Sequence, residues 1–349
     1  MKLNLFSILL FIGIFSFAQY TYVPDDNFEQ ALIDLGYDDE LDNQVLTSNI
    51  EGIEVLNLFF KQIHDFTGIE DFTALKEFTT GYNHISSGVI DLSQNVNLEI
   101  FSTFQDGLQE LDLTHNINLR ELYVSGNSIN SLDLSQNLQL RVLDLPYVGF
   151  FGLEEIEVNH LVLLERLSVY GNNLTNLNIS NLTNLKTLVC YLNNLTFLDL
   201  SNNPNLEHID CYGNDLTGIN LKNNNNTGIE YLKTLENPNL LCIDVDDEQW
   251  MEENLSNRID PWTSFSLDCD NMSTQDENLN EISIYPNPTN KIINFSEELK
   301  ELNIYDLAGK LILKGKGNQI NISNLPNGMY LIKGITNFDK TINQKFIKN

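Results

Sequence analysis

Apolar residues recur in this chain in short phrases that keep step over about half its length. Leu98, Leu119, Leu140, Leu164, Leu185 and Leu206 each open such a phrase, at intervals of 21, 21, 24, 21 and 21 residues. The phrase reads L-x-x-L-x-L, as in Leu119-x-x-Leu122-x-Val124, and returns as Leu164-x-x-Leu167-x-Val169 and Leu185-x-x-Leu188-x-Cys190. Alternation of period two predicts a strand with one buried face. Looser copies open at Ile53 and Leu75. Eight residues after the anchor stands Asn83, Asn127, Asn172, Asn193 or Asn214, an amide able to satisfy backbone groups where the chain turns. A second phrase follows in each repeat, such as Leu132-Asp133-Leu134-Ser135 and Leu198-Asp199-Leu200-Ser201, and predicts a second short strand per coil. A fixed period in this range marks a solenoid, in which each coil buries its apolar face only against its neighbours.

Both ends of such an array need covering. Val23-Pro24-Asp25-Asp26 precedes the apolar-periodic run Glu29 to Leu35, and Gly36 follows it, which are helix start and stop signals. The prediction is a short capping helix within residues 19–52, repeats over 53–226, and a C-terminal cap over 227–269. Residues 270–280 are polar, without a period, and read as a linker. Beyond them, Ile282 to Pro288, Leu302 to Lys310 and Leu325 to Lys333 alternate between Pro, Asn and Gly turns, as the strands of a small β-sandwich do. The predicted class is mainly β: a solenoid with a capping helix, then this small domain.

Charge sharpens that division. The net charge is −30, yet residues 281–349 hold nine Lys against six Asp or Glu. The acidic remainder disfavours nucleic-acid binding, which needs clustered Lys and Arg. Residues 1–18 read as a signal peptide, with Lys2, an apolar run from Leu5 to Phe17 and a small-x-small cleavage site at Ser16-Phe17-Ala18. No later stretch is apolar for long enough to span a membrane. Export makes a disulfide possible. Cys242 and Cys269 can close a 28-residue loop over the end of the array, worth on the order of 3 kcal/mol. Cys190 and Cys211, one repeat apart, read as small core residues.

The repeat phrases resemble leucine-rich repeats, and the nested 21-residue form is similar to the bacterial class called IRREKO repeats. Ile282 to Pro288, Leu302 to Lys310, Leu325 to Lys333 and the ending Lys345 to Asn349 resemble the type A C-terminal sorting domain of the Bacteroidota type IX secretion system. That resemblance implies engagement of the secretion machinery through residues 281–349 and export across the outer membrane. Removal of the domain, then release or attachment to lipopolysaccharide, would follow.

Catalytic signatures are missing from the sequence: it has no HExxH, GxSxG, P-loop or GxGxxG on a strand-to-helix turn. No metal or cofactor is assigned. The acidic clusters Asp38 to Asp42 and Asp244 to Glu248 lack the Gly and terminal Glu of an EF-hand loop. The five His are scattered, and His208 reads as a surface residue. Register instead gathers aromatics. Six or seven residues after successive anchors come Phe59, Phe60, Tyr82, Phe104, Tyr147, Tyr170, Tyr191 and Tyr212. They are expected along one edge of the concave sheet, with Tyr170, Tyr191 and Tyr212 as a continuous ladder. Such a row suits sugars or protein hot spots, and it serves equally to brace neighbouring coils. The irregular coil, Pro146 to Gly152, is a second candidate contact. The expected function is a secreted or surface adhesion-type protein that binds a protein or polysaccharide. A hydrolase with a surface carboxylate site and a structural surface-layer component are the alternatives.

Overall fold

The computed structural model describes residues 18–148, 152–269, 284–307, 309–337 and 341–348. The signal peptide through Phe17, the linker at 270–280 and Gly149 to Phe151 of the irregular coil lie outside them.

Nine strands, one from each successive coil, form a single parallel sheet in chain order. They are Val55–Phe59, Glu77–Gly81, Ile100–Phe104, Glu121–Ser125, Val142–Asp144, Arg166–Ser168, Thr187–Val189, His208–Asp210 and Tyr231–Lys233. Their register is in step: Phe78 pairs with Phe101, Phe101 with Leu122, and Leu188 with Ile209. The anchor and the residues three and five after it point inward. Leu119, Leu122 and Val124 are fully buried, as are Leu185, Leu188 and Cys190. One apolar core runs from Val23 to Phe265. Each such side chain contributes about 2 kcal/mol of burial, and the contribution is realised only when the next coil is present.

Asparagine joins the coils at the turn after each strand. Asn83 Oδ1 accepts from the N–H groups of Lys61 and Ile63, while its Nδ2 donates to Leu58 O and Thr80 Oγ1. Asn127, Asn172, Asn193, Asn214 and Asn237 repeat the arrangement. Buried Asp106 holds the equivalent place in its coil, accepting from Asn83 N and Thr103 Oγ1. In the irregular coil the place falls to Val148, so that rung carries no amide. A second series runs along the opposite turn. Asn95, Asn116, Asn137 and Asn203 each donate Nδ2 to two carbonyls of the preceding coil.

The second phrase of each coil behaves differently from the expectation of two strands per coil. A second parallel sheet exists, but it has four strands: Phe197–Asp199, Gly218–Leu221, Cys242–Val245 and Ser264–Ser266. In the earlier coils this phrase forms no strand. Its backbone is met locally there: Asp91, Asp112 and Asp133 accept the N–H two residues on. Asp199 and Asn220 keep that local bond and add the sheet pairing, as in Leu200 N to Asn220 O.

At the N-terminal end, the helix Asp26–Asp34 is capped by Asp25, whose carboxylate accepts from Asn27 N and Phe28 N. Phe28 packs against Phe66 and Phe72. A short antiparallel pair, Tyr20–Tyr22 with Gln44–Leu46, completes this end. At the other end Cys242 and Cys269 are joined by a disulfide, and Asp247 caps the helix Glu248–Leu255. The acidic cluster here is structural: Asp244 pairs with Lys222 and accepts from Cys269 N, and Asp246 accepts from Asn224 N. Among the described residues no helix is long and apolar enough to cross a membrane.

The C-terminal unit has a separate core around Ile293, Leu302, Ile304, Ile332 and Phe346. Five antiparallel strands enclose it: Ile284–Tyr285, Ile292–Tyr305, Leu311–Asn321, Gly328–Thr336 and Thr341–Lys348. The long strand Ile292–Tyr305 carries register shifts between Asn294 and Leu302, which bend it.

Candidate ligand-binding face

Residues two, four and six after each anchor project from the outer face of the nine-stranded sheet. The residue after them ends the strand in a left-handed conformation. It is Gly126, Gly171 or Gly213 in three coils, with φ of +64°, +67° and +62°. In others it is Phe60, Tyr82, Gln105, Tyr147, Leu192 or Glu236, with φ between 49° and 60°. Glycine adopts this region without strain, and a bulky residue there costs on the order of 1 kcal/mol or more. The strained side chains stand out from the surface: Phe60 is 64% exposed, Tyr147 50%, Leu192 44% and Tyr82 41%. Neighbouring glycines make room for two of the rings. A Cβ on Gly171 would run into Tyr147, and one on Gly81 into Phe59.

The aromatic positions gather into two groups rather than one stripe. Toward the N-terminal end, the Phe59 ring meets Phe60, Tyr82 and Phe104 at centroid distances of 4.8, 5.3 and 6.0 Å. Phe60 and Tyr82 stack at 4.4 Å. Ser125 and Gly126 then interrupt the row. The second group begins with Tyr147, edge-on to Tyr170 at 5.4 Å, and Tyr170 stacks on Tyr191 at 4.3 Å. The expected continuation to Tyr212 does not form among the described residues. Lys233 Nζ lies 4.1 Å over the Tyr212 ring instead, and the nearby Glu236 raises the pKa of its hydroxyl.

Register also brings together residues that inspection of the sequence passed over. The His208 ring stacks on Tyr231 at 4.2 Å, with planes 2° apart, and the Arg258 guanidinium covers Tyr231 at 4.4 Å. Burial lowers the His208 pKa, the Arg166 and Arg258 charges lower it further, and Asp210 opposes them. His208 is thus part of the sheet face. Carrying the repeat one coil past Leu206, to Ile229, is the signal that would have found Tyr231 and Lys233.

The remaining electrostatics are local. One residue after the anchor, opposite charges pair along the edge: Glu54 with Lys76, Glu99 with Arg120, and Glu165 with both Arg141 and Lys186, at 2.8 to 3.0 Å. Burial and the Glu121 carboxylate push the Tyr123 pKa up to about 12. Burial also raises Asp106 and Asp260, and both accept backbone N–H groups of the turn ladder. No group of three or more His, Cys, Asp or Glu among the described residues is placed to hold a metal ion.

No curated protein matches the chain. Several solved structures resemble it. The functional domain of InlJ from Listeria monocytogenes, which includes a cysteine ladder, is 18% identical with a TM-score of 0.44, over 95% of this chain and 99% of that one. Listeria monocytogenes InlP is 15% identical with a TM-score of 0.49, over 93% and 96%. The leucine-rich-repeat protein LIC12759 of Leptospira interrogans is 17% identical with a TM-score of 0.32, over 63% and 80%. Residues 283–349 match the family described as the secretion system C-terminal sorting domain, so in this chain a repeat solenoid is followed by a type IX export module that sends it to the cell surface or beyond.

Proposed function

We propose that the exported chain binds an extracellular protein or polysaccharide through the outer face of its nine-stranded sheet and catalyses no reaction. One observation carries the reading. Phe60, Tyr82, Tyr147 and Leu192 occupy left-handed turn positions where glycine serves in three other coils. Large exposed side chains kept at a conformational cost point to a use for them outside the fold. The buried carboxylates with raised pKa, Asp106 and Asp260, bond to turn N–H groups, which argues against their use as general acids. The test is a glycan and protein array probed with the chain lacking residues 1–18. Capture of a ligand that is lost when Tyr82 and Tyr147 are both changed to Gly, with the melting temperature retained, supports the reading. Capture of nothing, together with hydrolysis of an array component, overturns it.

A further inference from the structure

Between residues 19 and 269 the sequence holds nine Lys and Arg. Six of them lie in ion pairs: Lys61, Lys76, Arg120, Arg141, Lys186 and Lys222. The other three are Arg166, Lys233 and Arg258, and no carboxylate lies within 4 Å of them among the described residues. In so acidic a chain, cations left unpaired by chance would be scattered. These three converge on one end of the sheet face. Arg258 covers Tyr231, which stacks on His208; Lys233 covers Tyr212; and Arg166 projects from the same face two strands before His208.

Ring geometry says what this end presents. Parallel strands stand about 4.8 Å apart. Rings on neighbouring strands that lie parallel at 4.2 and 4.3 Å, as in His208–Tyr231 and Tyr170–Tyr191, must face along the axis of the coils. Their faces are therefore spent on one another and on the cations. Their edges, carrying imidazole nitrogens, phenol hydroxyls and guanidinium N–H groups, point outward. The exposed carboxylates Glu207 and Glu230 stand one residue after their anchors, at the edge of this part of the face, while two nearer the rings have local uses. Asp210 accepts from Tyr212 N, and the interaction of Glu236 with the Tyr212 hydroxyl raises the pKa of that phenol. Open apolar surface on the face lies around Val55, Phe60 and Tyr82, with Tyr147 and Leu192 nearer this end.

We infer that the coils from Arg166 to Arg258 bind an acidic polysaccharide, a chain bearing a carboxylate on its sugar units, laid across the strands. The unpaired cations take its carboxylates, and the row of ring edges takes its hydroxyls. An extended polymer whose groups repeat along its length matches donors that repeat coil by coil. An acidic protein would need an apolar anchor at the centre of its contact; among the described residues this end of the face offers Leu192 alone as a large exposed aliphatic side chain, against donors that recur from coil to coil. The inference rests on the reading of the sheet face as a ligand surface and names its ligand class.

The experiment titrates the chain lacking residues 1–18 with polygalacturonate by calorimetry, beside its fully methyl-esterified form and polyglutamate. The expected result is binding of polygalacturonate alone, weakened about tenfold when salt rises from about 50 to 200 mM. Arg166→Gln, Lys233→Gln and Arg258→Gln should each weaken it about tenfold, the loss of one charge-assisted contact. Lys186→Gln, whose ammonium is already held by Glu165, should leave it unchanged. Circular dichroism and melting temperature establish that each variant is folded. Equal binding of the ester, unaltered affinity in the triple variant, or binding of polyglutamate in place of polygalacturonate overturns the inference. A chain that ignores polygalacturonate yet captures another ligand, lost on Tyr82→Gly, overturns it too and leaves the wider reading of the face standing.

Discussion

The rings of Tyr170 and Tyr191, one coil apart, lie 4.3 Å from centroid to centroid with planes 14° apart. The pair braces two coils and also shows its hydroxyl edges to the solvent, so the two roles can be separated. Tyr191→Phe keeps the stack and removes one hydroxyl; its unfolding free energy should stay within about 0.5 kcal/mol of the parent. Tyr191→Ala removes the stack and should cost about 2 kcal/mol. Urea unfolding measures both, and a large loss in the Phe variant would show that the hydroxyl, not the ring, holds the coils.

The amide ladder carries a steeper penalty. Asn193→Leu leaves Leu174 N and the carbonyls of Val169 and Cys190 without their side-chain partner in a buried turn. The expected cost is about 3 kcal/mol, read from the shift in denaturation midpoint. A shift under about 0.5 kcal/mol would mean the turn satisfies these groups by other means.

Asp106 breaks the run of amides, and burial raises its pKa. The folded chain therefore holds this proton more tightly than the unfolded one. That contribution is fully present below the unfolded value of about 3.9 and is lost as pH rises through the folded value. Asp106→Asn, which restores the usual ladder residue, should be more stable than the parent at pH 7, with the advantage shrinking as pH falls toward 4. Thermal melts across that range test it, and equal stability of the two at pH 7 would refute it.

The disulfide Cys242–Cys269 closes the last turns of the array, with the two residues 27 apart in sequence. The paired change Cys242→Ser, Cys269→Ser should lower stability by about 3 kcal/mol. Hydrogen exchange should place the loss around the strand Ser264–Ser266 and its partner Cys242–Val245. Uniform loosening along the whole array is the contrary outcome.

Residues 283–349 match the sorting domain, whose core is separate from that of the solenoid. Deleting residues 281–349 should leave a folded solenoid in the periplasm, found there by fractionation and immunoblotting. Normal appearance of the truncated chain at the surface or in the medium would contradict the export role.

Much of this fold is visible as spacing, because a solenoid repeats one local decision. An apolar anchor, two further inward residues and an Asn at a fixed offset suffice to place Leu122, Val124 and Asn127. The helix at Asp26–Asp34 was equally legible from Asp25 and Gly36. What spacing did not decide was which extended segments pair. The second phrase has the same letters around Leu132 and Leu198, yet only the latter joins a sheet. Nor did it decide how rings orient. Tyr212 occupies the same repeat position as Tyr191, but Lys233 on the next strand claims its face. That outcome depends on a residue 21 positions away and on the packing between them. His208 was undervalued for the same reason: its partners, Tyr231 and Arg258, are distant in the chain and adjacent only once the coils stack.

The missing amide at Val148 has a mechanical consequence. An array stabilised by nearest-neighbour terms yields first at its weakest junction. Here the side-chain tie to the preceding coil is missing in the coil lengthened to 24 residues, and backbone bonds such as Gly126 N to Tyr147 O and Ile129 N to Val148 O hold that junction without it. Stretched from its ends, the chain should part there into two blocks before either unravels. The four-stranded second sheet lies wholly in the C-terminal block. A molecule tethered at one end and gripped along its face would thus give in stages, with the block that holds the unpaired cations the last to let go.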